Sequence, residues 1–447
     1  MEKRKFKKKL VVTSLMLCLV TSCLSGCSMG SKKEALEIYF LSCKPEVAEI
    51  WEEVSAAYES ETGVKLKVLT SSDGNNARTL KAELAKKYGT TLFQINGPVE
   101  YEMWKPYCLD LSGTELYSWM LDPSMAVTDG DGVYGIPYVV EGYGIIYNQA
   151  IMNKYFSLSD RATSYSDMSE VNNYEKLKAV VEDMTAHKTE LGIDGVFAST
   201  SFGPGEDWRW QTHLMNLPIY YEFKDEGISD SDSINFTYSD NYRNILDLYL
   251  NNSCTDKYSL GDASVEQSMT EFATGKAAMV QNGNWGWSQI SATDGCVVSE
   301  DEVKYLPIYT GVSGEENQGL CIGTENFICV NSQVSEEKQQ ASIAFLEWLY
   351  GSETGKNFIT NSFGFIPPFN TFTEAEYPTN PLAVEVLNYM SDSSKYSVSW
   401  NFVAFPNQKF KDILGENLQL YAQDEMDWET VVNATKSSWA EQKAPTE

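Results

Sequence analysis

Histidine is nearly missing from this chain: His187 and His213 are the only two among 447 residues. That argues against a receptor or hydrolase built on a histidine metal cluster, and no metal or cofactor is expected. Basic charge is scarce as well, with 34 Lys and Arg against 63 Asp and Glu and a net charge of −29. A chain of that sign repels polyanions, so nucleic acid is not an expected partner. Beyond residue 27 the cysteines stand alone at 43, 108, 254, 296, 321 and 329. Those spacings give no CxxC pair and no zinc pattern, and they leave the thiols either paired or free. After residue 20 no apolar run is long enough to span a bilayer. Internal repeats and low-complexity tracts are absent too.

What is present begins with an export signal. Lys3, Arg4, Lys5, Lys7, Lys8 and Lys9 form a basic start, followed by a short apolar stretch over 10–20. Leu24, Ser25, Gly26 and Cys27 then resemble a bacterial lipobox, which implies cleavage before Cys27 and a diacylglycerol on its thiol. Residues 1–26 are thus expected as a lipoprotein signal peptide and 27–33 as a lipidated tether. Acyl chains gain about 0.8 kcal/mol per buried methylene, enough to keep a soluble domain at the outer face of the cell membrane. Losing residues 1–26 removes six basic groups and one acidic, which takes the net charge from −29 to −34. The remaining length is too great for one core and suits two lobes.

The periodicity predicts strands at 37–41, 64–69 and 91–95, with helices at 45–60 and 77–88 between them. That β-α-β-α-β order is the pattern of a parallel sheet covered by helices. The loops after these strands, at 42–44, 71–76 and 96–100, leave along one edge and are polar. The run 134–148 is aromatic, β-branched and Gly-rich, and suggests strands crossing between lobes. Glu141 stands inside that apolar run, so its carboxylate must be paired or face a polar cleft; Tyr143 is a further candidate contact. The pattern then restarts, with a helix at 174–187 and a strand at 196–200. A Gly/Pro turn over 202–210 carries Glu206, Trp208 and Trp210 just past that strand. Further helices are expected at 241–250, 264–274, 339–350, 381–390, 407–424 and 428–442, and further strands at 295–307 and 320–330.

The stretch 272–287 matters most. It reads as a helix end at Gly275 and Lys276, a buried strand over 277–281, then a Gly/Asn turn with Trp285 and Trp287. Ligands of open α/β sheets sit beyond the carboxyl ends of strands. Aromatic faces bind the C–H faces of a sugar ring, and carboxylates or amides bind its hydroxyl rim.

Taken together, four stretches resemble the family 1 extracellular solute-binding proteins, the maltose-binding-like receptors of ABC importers. They are the lipobox at Cys27; Ile136-Pro137-Tyr138-Val139-Val140-Glu141 with Ile146-Tyr147-Asn148; Phe272 through Asn282-Gly283-Asn284-Trp285; and 323–349. The resemblance implies an α/β fold of periplasmic-binding-protein type II. Each lobe would hold a mainly parallel sheet flanked by helices, with the ligand cleft between lobes. The expected lobes are 34–143 with 315–352, and 147–310 with 355–447; hinges fall near 142–147, 308–316 and 351–356. Trp285 is implied to stack on a sugar, Glu141 to bond its hydroxyls, and Trp208 with Glu206 to add a second wall. Asn96 and Gly97 stand where some members carry an acidic residue, and Ser42 and Lys44 stand at another contact loop. The implied function is a lipid-anchored, monomeric receptor of Gram-positive type, without catalysis, that closes on an oligosaccharide and delivers it to a permease pair and its ATPase. Two other readings stay open: a receptor of the same fold for a polyamine or other solute, and a surface glycoside hydrolase with Glu141 and Glu206 as its acids.

Overall fold

The first apolar run forms strand β1 (Glu37–Ser42), which is buried from its second residue onward. Burial on both faces is what a central parallel strand requires. Strands β2 (Lys65–Thr70) and β3 (Leu92–Ile95) lie parallel to it on either side, with Glu37 opposite Lys65 and Phe40 opposite Leu92. The crossover helix Ile50–Thr62 turns Trp51, Val54 and Tyr58 inward. It stops at Gly63, whose φ of 72° lets its N–H reach the Glu59 carbonyl. This computed structural model describes residues 36–71 and 76–443, all within one compact unit. The signal, Cys27 and the tether lie outside the described residues.

A hairpin of β4 (Val127–Asp129) and β5 (Gly132–Gly135) precedes an extended segment that bridges Ile136 to Ile328 and Val140 to Ile366. The chain then enters a second sheet through β6 (Glu141–Asn148), all eight residues of which are buried. That sheet also takes β7 (Gly195–Phe197), β8 (Ala277–Gly283), β9 (Val303–Leu306) and β10 (Gln318–Gly323). Strand β11 (Phe327–Val330) returns to the first sheet beside β3, and β12 (Tyr396–Ser399) completes the second beside β10. The first sheet runs β11-β3-β1-β2, with only β11 reversed. In the second, β6 opposes β8, β9 and β10, while β7 follows β8 and β12 follows β10. Each sheet is therefore mainly parallel in direction with one opposing strand, and the fold is the expected α/β type II arrangement.

Residues 320–330, read from sequence as one strand, are divided between the two sheets. The break is at 324–326, where Asn326 adopts a φ of 60°. An apolar run alone does not reveal such a break, because both halves are buried. Similarly, 295–307 yields only the short strand β9. Four apolar clusters flank the sheets among the described residues, two of them larger than the others. Phe40, Trp51, Phe345, Phe363, Phe365 and Phe369 pack with the first sheet, and Tyr155, Leu177, Trp210, Tyr249, Phe410 and Trp439 pack with the second.

Trp51 sits at the centre of the first core, 5.2 Å from the ring of Phe40 and 4.9 Å from that of Phe363. Trp51→Ala is expected to cost about 3–5 kcal/mol. A denaturant titration checks this, and Trp51→Phe should recover most of the loss.

Candidate functional site

The carboxyl ends of β1, β3, β8 and β12 and the entries to β6 and β11 meet at one place. Lys44 leads away from β1, and its Nζ lies 2.8 Å from Glu141 Oε1 at the start of β6 and 3.4 Å from Glu46 Oε1. The Lys44 and Glu141 side chains are 7 % and 1 % exposed, so this pair is nearly out of water. The same ammonium stands 5.8 Å from the ring of Trp285, after β8, and 5.7 Å from Phe365. Burial works against the Lys44 charge, but Glu141 and Glu46 outweigh it and raise its pKa. Burial lifts the Glu141 carboxyl to about 7 against the pull of Lys44. Its second oxygen, Oε2, has no hydrogen-bond partner among the described residues.

The aromatic wall is built from three strand ends. Trp285 lies 6.3 Å from Trp208 and 6.5 Å from Trp400, and His213 sits among them at 5.6 Å from Trp285 and 5.0 Å from Trp208. Trp285 lies against the backbone of Gly283, where a Cβ would come within 2.0 Å of its ring. Trp400 lies in the same way over Gly323, with a Cβ there only 2.4 Å from the indole. Asn284 fixes the turn: its Oδ1 accepts from the Gly142 N–H at 2.9 Å, and its own N–H donates to the Gly142 carbonyl at 3.0 Å. Tyr143 is fully buried beneath the wall, stacked on His213 at 4.3 Å, and donates to the His213 carbonyl. Burial, then Lys411, Arg209 and Lys44, push the His213 imidazole down to about 3, so it is a neutral part of the wall.

The other expected positions divide into two sets. Ser42 is buried and its hydroxyl accepts from the Lys44 N–H, so it supports the loop. Asn96 is half-buried and donates its N–H to Glu100 Oε2 at 2.8 Å. Gly97 takes a φ of 131°, and a Cβ there would meet Val403 from the opposite side at 3.1 Å. The Glu206 carboxylate accepts from the Val265 N–H at 2.7 Å, at the start of the helix Val265–Ala273. Trp287 packs against the apolar cluster of Val140 and Ile290, which Trp208 also touches, and is not among the ring contacts of Trp285.

Sequence reasoning missed several members. Glu100, on the helix Pro98–Trp104, places a carboxylate beside Asn96, where 96–97 carry none. Glu325 precedes β11, and Lys411 on the helix Gln408–Ala422 interacts electrostatically with both acids. Burial raises the carboxyl pKa of Glu100 and Glu325 and lowers the ammonium pKa of Lys411. Trp400 follows β12 and carries an indole N–H with no partner among the described residues. A polar residue in a loop gives no local sign of such a role. The structure also groups Asp160, His187 and Glu190, with ligand atoms within 4.8 Å, on the surface of the second lobe. The six described cysteines are all free thiols.

A family model described as bacterial extracellular solute-binding protein matches residues 53–385. The chain belongs to that family. A comparison with curated proteins finds no match. Among solved structures, a chitin oligosaccharide binding protein is 18 % identical with a TM-score of 0.70, covering 92 % of this chain and all of that one. The raffinose complex of RafE gives 14 % and 0.69, with 92 % and 100 % covered. Maltose-bound MalE3 of T. maritima gives 14 % and 0.66, with 91 % and 99 % covered. At these identities the likeness establishes the fold of the solute-binding chain over nearly its whole described length. No described helix is long and apolar enough to cross a membrane.

The Glu141 carboxyl titrates near neutrality in the fold, above the ordinary range of about 4 for a free Glu. Its folded pKa is raised, so between those values the folded chain binds the extra proton. Stability is then gained as pH falls through about 7 and lost again as it rises. The melting temperature should rise on going from about pH 8 to about pH 6. Part of that rise should disappear in Glu141→Gln, as paired thermal melts would show.

Proposed function

We propose that this chain is the lipid-anchored, extracellular receptor of a carbohydrate ABC importer, and that it captures an oligosaccharide between its two sheets. The reading rests most heavily on one observation: Trp208, Trp285 and Trp400 stand together beside the buried Lys44–Glu141 pair. Indole faces suit the apolar faces of pyranose rings, and several of them suit more than one ring. The Glu141 Oε2 and Trp400 Nε1 atoms offer an acceptor and a donor to the hydroxyl rim. In this reading Glu141 bonds the sugar hydroxyls, while Glu206 is engaged with a helix start and Tyr143 lies beneath the wall. The two lobes would close about the crossings at Glu141 and 324–326, in the manner of hinged receptors; against the expected bounds and the hinge at 308–316, β10 belongs with the second sheet, and Phe363, Phe365 and Phe369, placed beyond 355 in the second lobe, pack with the first. The binding-protein family favours capture over hydrolysis. Delivery to a permease pair follows from the same reading, as does the monomeric state.

Two measurements test it. In a calorimetric panel of malto-, raffinose-type, manno-, xylo- and chitin oligosaccharides, at least one should bind. Trp285→Ala should then lose about 2 kcal/mol or more, roughly thirtyfold in Kd, with the melting profile retained. Unchanged affinity in that variant returns Trp285 to a packing role. For the anchor, Cys27→Ser should move the protein from the membrane fraction to the medium; retention of the variant at the membrane would refute lipidation at Cys27.

A further inference from the structure

The cleft carries charge that a neutral sugar would leave uncompensated. Two carboxylates, Glu141 at 2.8 Å and Glu46 at 3.4 Å, share the single ammonium of Lys44. The excess is negative, and it is partly removed from water. Buried charge needs a counter-charge, and a hydroxyl group supplies none. The deepest of the acids, Glu141, keeps one oxygen without a partner in the protein at 1 % exposure of its side chain.

The position of Lys44 shows what the cleft is shaped to hold. Its ammonium has a carboxylate at 2.8 Å, a second at 3.4 Å, and the rings of Trp285 and Phe365 at 5.8 and 5.7 Å. Carboxylates joined to aromatic faces are a cage for a cationic nitrogen. Lys44 also has somewhere else to go. Glu46, two residues along the same loop, is the more exposed of its partners, at 18 % against 1 %.

We propose that the ligand carries a protonated amino group, as an amino-bearing oligosaccharide does, and that this group takes the Lys44 ammonium's place at Glu141 while Lys44 shifts to Glu46. This inference rests on the oligosaccharide reading and narrows it. Trp285 serves both halves of such a ligand, with its face toward a sugar ring and toward the cation. No covalent step is involved. Lys44 acts as a tethered competitor, so its removal strengthens binding, which a residue that merely contacts the sugar would not do.

The test compares glucosamine tetraose with its fully N-acetylated counterpart by calorimetry at about pH 7, where both the amine and the Glu141 carboxyl are partly charged and each holds the other's charge. The two probes share length and linkage and differ in charge. The amine form should bind roughly tenfold tighter to the natural chain. Lys44→Met should tighten it several-fold further, and Glu141→Gln should erase the preference; a thermal melt of each variant confirms the fold. Equal or tighter binding of the N-acetylated form, or weaker amine binding in Lys44→Met, overturns the inference and leaves the oligosaccharide reading standing. Binding of spermidine with neither tetraose bound overturns both. Failure of all three probes overturns the inference, and the wider neutral panel then judges the oligosaccharide reading.

Discussion

The contact between Lys44 and Glu141 ties the end of β1 to the beginning of β6, and so ties one sheet to the other. Removing one partner of such a buried pair leaves an uncompensated charge, at a cost of about 3–5 kcal/mol. Replacing both with apolar groups is often neutral, so the pair is poorly explained as a source of stability alone. Its value lies in position. The only way to hold both charges inside is to bring the two strand ends together, and that same approach sets Trp285 and Phe365 beside the ammonium.

The aromatic wall depends on a second constraint, the lack of side chains beneath it. Gly283 and Gly323 end β8 and β10, and each lies directly under an indole. A methyl group at either place would lift the ring from the strand end. Below, Tyr143 stacks on a neutral His213, so the wall rests on flat, uncharged surfaces. The Asn284 bridge to Gly142 fixes the turn to the strand that carries Glu141. One residue thus sets the spacing between the stacking face and the carboxylate.

How much of this was legible in the sequence follows from what each signal measures. Strand and helix periods report burial along a segment, so the α/β repeat and the first three strands were readable. Trp285, Trp208 and Glu141 were legible because each breaks its surroundings: an indole in a Gly/Asn turn, an acid in an apolar run. Residues 320–330 were misread because both halves are buried, and only Asn326 marks the change of sheet. Trp400, Glu100, Glu325 and Lys411 left no local trace. Trp400, Glu325 and Lys411 reach the site through β12, β11 and the helix Gln408–Ala422, far beyond β3 in the chain, which spacing cannot report, and Glu100 follows β3 as one polar residue among several. Glu206 shows the reverse case, since an acid beside a Gly/Pro turn also serves as a helix cap.

Where the two sheets meet, apolar and charged contacts stand side by side. Gly97 approaches Val403 closely, and Val140 packs with Ile366, Leu320 and Val386, while Lys44 and Glu141 pair beside them. If the lobes hinge as proposed, a buried carboxylate left without a partner opposes closure, because its desolvation is not offset. A ligand shifts such an equilibrium only by its differential affinity for the two states. Burial raises the carboxyl pKa of Glu141 in this form, and a complementary ligand would satisfy the free oxygen of the same group.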